Sequence, residues 1–271
     1  GEDADARHVH IIPLCRGADT IAVEHTVIPP ALLDACPSVR RIVFMGTGAG
    51  TYVDLADADR RGVEVVTTPG YGDRAVAEHA LALIFAAARD VARMDREIRA
   101  GAWIPRGGLQ LGGRKLAVVG LGGIGTTLAD LATALGMQVA GWNRSPRAHA
   151  CFTPDLDAAL AGADVVSLHL ALNDATRGLL GARHLALPAP GFVLVNTARA
   201  ELVDETALLA ALASGQVGHA ALDVFPEEPL PAGNPYAGLD NATLTAHAAY
   251  MTDDACAELW RRTLAAIAAP L

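Results

Sequence analysis

The chain has 271 residues, enough for one large or two modest domains. Hydrophobic residues make up 52% and aromatics only 4%, so aliphatic side chains and alanine must fill a sizeable core. With 21 Lys and Arg against 30 Asp and Glu, the formal net charge of −9 disfavours nucleic acid and anionic membrane surfaces as partners; it leaves room for an anionic substrate in a locally positive pocket.

Cys15, Cys36, Cys151 and Cys256 stand far apart with no CxxC pair, which fits reduced thiols better than a disulfide framework or a zinc site. His8 and His10 share a face of an expected strand but lack a third ligand, so no metal is expected. The apolar run Ala80 to Ala88 is too short for a bilayer core, which takes about 20 residues. The acidic start carries no signal-peptide pattern, and the expected location is cytoplasmic.

In chain order, β-rich runs fall at 9–13, 20–23, 41–44 and 63–67. A loop at 69–73 precedes one long helix over 75–98, apolar on nearly all sides in its first half and charged in its second. The glycine-rich stretch 101–113 reads as a connection. A second series follows: strand 115–120, helix 125–135 closed by Gly136, strand 138–142, and a short helix to 161 opened by Thr153-Pro154. Strands at 164–168, 192–196, 218–223 and 242–245, a helix capped by Asp204 and ending at Gly215, and a C-terminal helix near 253–269 complete the set. Alternating strands and helices mark an α/β fold with parallel sheets. The expected division is a first domain over 1–89, completed by 251–271, and a second over 90–250.

Gly120-Leu121-Gly122-Gly123-Ile124-Gly125 follows a β-run and opens a helix, the context in which this pattern binds a dinucleotide. Gly120 permits the tight turn, Gly122 lets backbone approach a pyrophosphate, and Gly125 lets helix and strand pack closely. The helix N-terminus offers free N–H groups and partial positive charge. At the end of the next strand stands Asn143-Arg144-Ser145, with no carboxylate for a ribose 2′-OH. Arg144 suits a 2′-phosphate, with Asn143 and Ser145 adding neutral bonds. NADP(H) is therefore preferred, with NAD(H) possible.

Several ordered motifs resemble the D-isomer-specific 2-hydroxyacid dehydrogenases: Leu168-His169-Leu170-Ala171-Leu172-Asn173, Val195-Asn196-Thr197-Ala198-Arg199, Leu222-Asp223-Val224-Phe225-Pro226-Glu227-Glu228-Pro229, Thr245-Ala246-His247, and Thr68-Pro69-Gly70 with Ala75-Val76-Ala77-Glu78-His79. The likeness runs from about residue 17 to 267. It implies two Rossmann-like domains with parallel sheets, the cofactor domain inserted into a smaller flavodoxin-like substrate domain. It also implies a homodimer. By resemblance, Arg199 pairs with a substrate carboxylate, His247 is the acid/base, and Glu228, directly before the proline, orients it; Glu227 is the rival. Asp223 is matched to the nicotinamide carboxamide and Thr197 to the cofactor. Gly48, Ala49 and Arg199 are matched to the substrate. Tyr71 and Arg74, just before the long helix, are candidates for the pocket lining or exposed loop residues, and Trp103 is expected to fill a domain junction or reach a neighbouring subunit.

Two departures stand out. Ala200 replaces the glycine that usually follows the arginine, and only 16 residues precede the region where the likeness begins, so the first domain is expected to be reduced or clipped. The resulting expectation is NADPH-dependent reduction of a glyoxylate- or hydroxypyruvate-type 2-oxo acid. The alternatives are a dehydrogenase of a phosphorylated hydroxy acid or of phosphite, and a cofactor-sensing corepressor on the same fold.

Overall fold

The computed structural model describes residues 11–24 and 26–271. The chain divides into two compact units, one running through residue 72 and resuming over 252–271, the other spanning 73–251. The seam precedes the long helix, not the 89/90 position expected from sequence. The helix Asp73–Ala88 packs on the helix Gly123–Ala134 and on strands of the larger unit, and so belongs there.

The smaller unit holds three parallel strands, β1 (Thr20–Val23), β2 (Arg41–Phe44) and β3 (Glu64–Thr67), in the order β1-β2-β3. The central strand is buried at all four positions, as a strand covered on both faces must be. The strand expected over 9–13 is not formed in its described part: residues 11–15 are helical. Ile11, Ile12 and Cys15 pack on this unit's core, a one-sided spacing that suits a helix and outweighs β propensity. Residues 9 and 10, like His8, lie outside the described residues. The C-terminal helix Asp253–Ala268 packs on β1 and β2.

The larger unit is a seven-stranded parallel sheet: β4 (Lys115–Val119), β5 (Gln138–Trp142), β6 (Phe152–Thr153), β7 (Val165–Leu168), β8 (Phe192–Asn196), β9 (Val217–Leu222) and β10 (Ala242–Leu244). Their order is β10-β9-β8-β7-β4-β5-β6. Alternate residues feed opposite cores, the two-residue period of a strand. Leu116 and Val118 join Ala80, Leu83 and Ile84 on one face; Ala117 and Val119 join Leu160, Leu208 and Leu212 on the other. Strand order reverses beside β4, so the carboxyl ends of β4, β5 and β7 flank a topological switch point, where ligands of such sheets bind.

Two expected elements differ. The long helix breaks into Asp73–Ala88 and Val91–Arg99, with Asp90 between them in the left-handed region at φ 54°. The break falls where the apolar, buried helix gives way to one with no buried residue. Thr153 ends β6 and does not cap a helix: a residue before proline is held extended. Asp155 takes the cap, accepting from Asp157 N at 3.0 Å. Asp204 caps the helix Glu205–Ser214 as expected, and Gly215 closes it at φ 77°.

All four cysteines are free thiols. Among the described residues, no helix is long and apolar enough to cross a membrane, and no cluster of three His, Cys, Asp or Glu could hold a metal ion.

Candidate active site

The glycine-rich turn leaves β4 at the switch point. Gly120 has φ 108°, and a Cβ there would stand 2.6 Å from the His169 carbonyl oxygen. A Cβ on Gly125 would overlap the Gly120 carbonyl, so strand and helix meet at a distance only glycine allows. At Gly122 the same position has nothing within 4 Å: the backbone faces open space. The helix that follows, Gly123–Ala134, has no side-chain cap, so its first N–H groups are available to an anion. Ile124 is half-buried against the core behind the turn.

Asn143 ties β5 to this turn. Its Oδ1 accepts from Leu121 N at 3.2 Å and its Nδ2 donates to Ser145 O at 2.9 Å. Arg144 and Ser145 are exposed beside it. Thr197 is buried, yet its hydroxyl has no hydrogen-bond partner. An open backbone cradle, an uncapped helix and an orphaned buried hydroxyl fit a nicotinamide dinucleotide.

Arg199 follows β8. Asn196, buried at the strand end, clamps the turn: its Nδ2 donates to Arg199 O at 2.8 Å and its Oδ1 accepts from Ala198 N at 3.0 Å. Arg199 Nη1 donates to Ala198 O at 2.6 Å, and the guanidinium is half-buried. Ala200 opens a 3-10 turn, Ala200–Leu202. Among the described non-glycine residues, positive φ occurs only at Asp90 and His247, so alanine brings no backbone strain there.

His247 follows β10 at φ 49°, a left-handed conformation that its surroundings must hold in place. Its Nδ1 lies 2.7 Å from Glu228 Oε2. The other oxygen, Oε1, accepts from Phe225 N at 2.9 Å. Burial alone would raise the Glu228 carboxyl; the bonds from His247 and the Phe225 amide, with the charges of His247 and Arg199, outweigh it and hold the carboxyl below its ordinary value. Of the two carboxylates before Pro229, Glu228 is thus the one bonded to the imidazole.

Asp223 directly follows β9 and is 0% exposed. Its Oδ1 accepts from Thr245 Oγ1 at 2.5 Å and Ala248 N at 3.0 Å, and its Oδ2 from Ala249 N at 3.0 Å. Its own carbonyl accepts from His247 N at 2.8 Å. Asp223 is therefore the anchor of the loop that carries the histidine.

The remaining expected residues belong to other elements. Gly48, Ala49 and Tyr71 belong to the smaller unit; Gly48 precedes a 3-10 turn, Ala49–Thr51, in which Ala49 is buried. Arg74 is exposed and paired with Glu78 along its own helix. Trp103 is 87% exposed.

A family profile described as "D-isomer specific 2-hydroxyacid dehydrogenase, NAD binding domain" matches residues 81–249. A glyoxylate reductase of Aeropyrum pernix is 37% identical over 235 residues, 82% of this chain and 70% of that protein. A D-3-phosphoglycerate dehydrogenase of Archaeoglobus fulgidus is 35% identical over 237 residues, 85% of this chain; the chain spans only 45% of that relative's length. Among solved structures, an NADPH-dependent glyoxylate/hydroxypyruvate reductase of Sinorhizobium meliloti, in complex with NADP and malonate, superposes with TM-score 0.84 at 29% identity, covering 92% of this chain and 79% of that one.

The chain belongs to the D-isomer specific 2-hydroxyacid dehydrogenase family. In this family member two residues, Asn196 and Arg147, were given no role by sequence reasoning, and a third, His79, was given no partner. Asn196 was read only as part of a motif, although an amide that bonds both sides of a turn is a clamp. Arg147 is a second exposed cation, three residues beyond Arg144. His79, expected from its place in the apolar helix to be packed and hydrogen-bonded, lies 3.2 Å from Thr245 Oγ1 and 3.6 Å from Asp223 Oδ1, beneath the histidine loop.

Proposed function

We propose that this chain reduces a small 2-oxo acid of the glyoxylate or hydroxypyruvate type to the D-2-hydroxy acid, using NADP(H) in preference to NAD(H). The observation that carries the reading is the His247–Glu228 pair at 2.7 Å, on the same sheet edge as the open glycine turn and the clamped Arg199. The nicotinamide cofactor supplies the hydride. Arg199 binds the substrate carboxylate through its planar fork and draws electron density from the adjacent carbonyl. His247 gives its proton to the carbonyl oxygen as that oxygen becomes an alkoxide, and takes it back in the oxidative direction. Glu228 is bonded to the imidazole at 2.7 Å and fixes its orientation. Asp223 and Thr245 hold the loop from behind.

Gly120, Gly122, Gly123, Ile124 and Gly125 form the pyrophosphate cradle in this proposal, with Thr197 as a further cofactor contact. Arg144 and Ser145 face the 2′-phosphate, while Asn143 fixes the strand end against the turn. Gly48 and Ala49 are kept as substrate contacts on family resemblance alone, and Tyr71 on its place just before the long helix. A homodimeric state and a cytoplasmic location complete the reading; light scattering and cell fractionation test them.

The similarity to phosphoglycerate dehydrogenases favours one other reading, oxidation of a phosphorylated hydroxy acid. A panel of glyoxylate, hydroxypyruvate, pyruvate and 3-phosphohydroxypyruvate, run with NADPH and NADH side by side, separates the two. The proposal expects the highest kcat/KM for glyoxylate or hydroxypyruvate with NADPH. A clear preference for the phosphorylated acid favours the second reading. Tight cofactor binding without turnover of any 2-oxo acid contradicts both and favours a cofactor-sensing role.

A further inference from the structure

The helix Asp73–Ala88 begins directly beside the glycine-rich turn. The space that a side chain on Gly123 would occupy is already taken by the Asp73 carboxylate: a methyl group built on Gly123 would overlap Oδ2 and stand 3.1 Å from Oδ1. The three heavy atoms nearest that position all belong to the Asp73 carboxyl group, whereas the matching position at Gly122 has nothing within 4 Å. The cradle is thus open in front of one glycine and walled by a carboxylate over the next. Glycine at 123 is what lets Asp73 sit there.

This placement has an electrostatic consequence. The N-terminus of the helix Gly123–Ala134 has no side-chain cap, and its partial positive charge attracts any nearby anion. The same N–H groups and dipole attract a pyrophosphate. The adjacent Arg74 is drawn to Glu78 and away from neutralising Asp73. Two anions therefore compete for one helix end.

We propose that Asp73 is an affinity-setting residue of the dinucleotide site: its carboxylate holds the anion position beside Gly123 in the free protein and opposes the pyrophosphate of an incoming cofactor. The assignment rests on the dinucleotide reading above. It makes cofactor binding weaker than the cradle alone would allow, and so makes release easier. It also sets the sign of the salt response. Added salt screens attraction between pyrophosphate and arginine, but at Asp73 it screens a repulsion.

The test is direct titration of NADPH into the wild-type chain and the near-isosteric Asp73→Asn, followed by cofactor fluorescence at low and high ionic strength, with thermal melting of both free proteins as a check on folding. Asp73→Asn should bind NADPH about tenfold more tightly at low salt, as expected for removing one charge near a dianion in a partly solvated site. The advantage should shrink towards parity at high salt. Asp73→Ser should behave likewise, which keeps the test valid if the asparagine variant melts early. Equal or weaker binding by both folded variants at every salt concentration overturns the assignment and leaves the dinucleotide reading intact. If the wild-type chain binds neither NADPH nor NADH, the dinucleotide reading falls and this inference falls with it.

Discussion

Arg144 stands exposed at the end of β5, where a carboxylate would select NAD. Replacing Arg144 with Asp removes the charge-assisted bonds offered to a 2′-phosphate and supplies an acceptor for a 2′-OH. A hydrogen bond to a charged group is worth about 1.5–3 kcal/mol, so the NADPH/NADH affinity ratio should fall by about 10- to 100-fold. An unchanged ratio in paired titrations rules out Arg144 as the discriminating residue. His79 acts through Thr245 and Asp223, not on substrate. His79→Leu should lower kcat while leaving NADPH affinity within about twofold, and His79→Gln should restore much of the loss. If NADPH affinity falls in step with kcat, the residue is a general packing element and not a support of the histidine loop. Glu228 carries a pH signature. Its carboxyl is held below the ordinary value of 4.5, so its contribution is present above that pH and lost as pH falls through the folded value. Acid titrations of stability should therefore show a shallower loss in Glu228→Gln than in the wild type. Arg199, Glu228 and His247 were legible in the sequence because each sits in an ordered motif after a strand. His79 was legible as a packed and bonded histidine, because an imidazole in an apolar helix needs a partner; the partner itself was not, since Thr245 is 166 positions away. The bonds by which Asp223 holds the histidine loop were not legible, because they join a strand end to amides 25 and 26 positions on.

At the scale of elements, local chemistry fixed the ends of helices more reliably than their continuity. Asp204 was readable as a cap because its side chain serves the amide three positions on, Ala207 N, at 3.0 Å. Asp204→Ala should destabilise the larger unit by about 1 kcal/mol, seen in denaturant midpoints, with the catalytic pH profile unchanged. A change below about 0.2 kcal/mol would show that the cap is dispensable in its tertiary setting. The long helix was read as continuous because apolar and charged halves both have helical character. The break at Asp90 follows from packing: the first half is covered by the helix Gly123–Ala134 and the sheet, and the second half is not. No periodicity in the sequence announces a single left-handed residue. The strand expected near the N-terminus failed for the related reason that Ile11, Ile12 and Cys15 also satisfy a helical stripe.

At the scale of the whole molecule, the parallel α/β character of the larger unit was the most legible feature, because strands and helices alternate along its sequence. The smaller unit was less so. Its C-terminal helix is held by a buried charge that hydropathy cannot reveal: Arg41, 4% exposed, donates to Ala266 O at 3.1 Å and to Ala269 O and Pro270 O at 2.7 Å each, and pairs with Glu64 at 2.7 Å. Arg41→Met should leave those carbonyls unpaired and cost this unit about 3 kcal/mol or more. Hydrogen exchange should then accelerate in the smaller unit and leave β4, β7 and β8 protected; uniform acceleration would mean that the units unfold as one. The central claim, hydride transfer to a small 2-oxo acid with His247 as the acid, is tested most directly by isotope tracing. NADPH carrying deuterium at the transferable position of its nicotinamide ring is incubated with hydroxypyruvate, and the glycerate is analysed by mass spectrometry and chiral separation. The account predicts D-glycerate with the label on the former carbonyl carbon, and a rate lowered by about 10²- to 10⁴-fold in His247→Gln. L-glycerate, unlabelled product, or undiminished turnover in His247→Gln would contradict it.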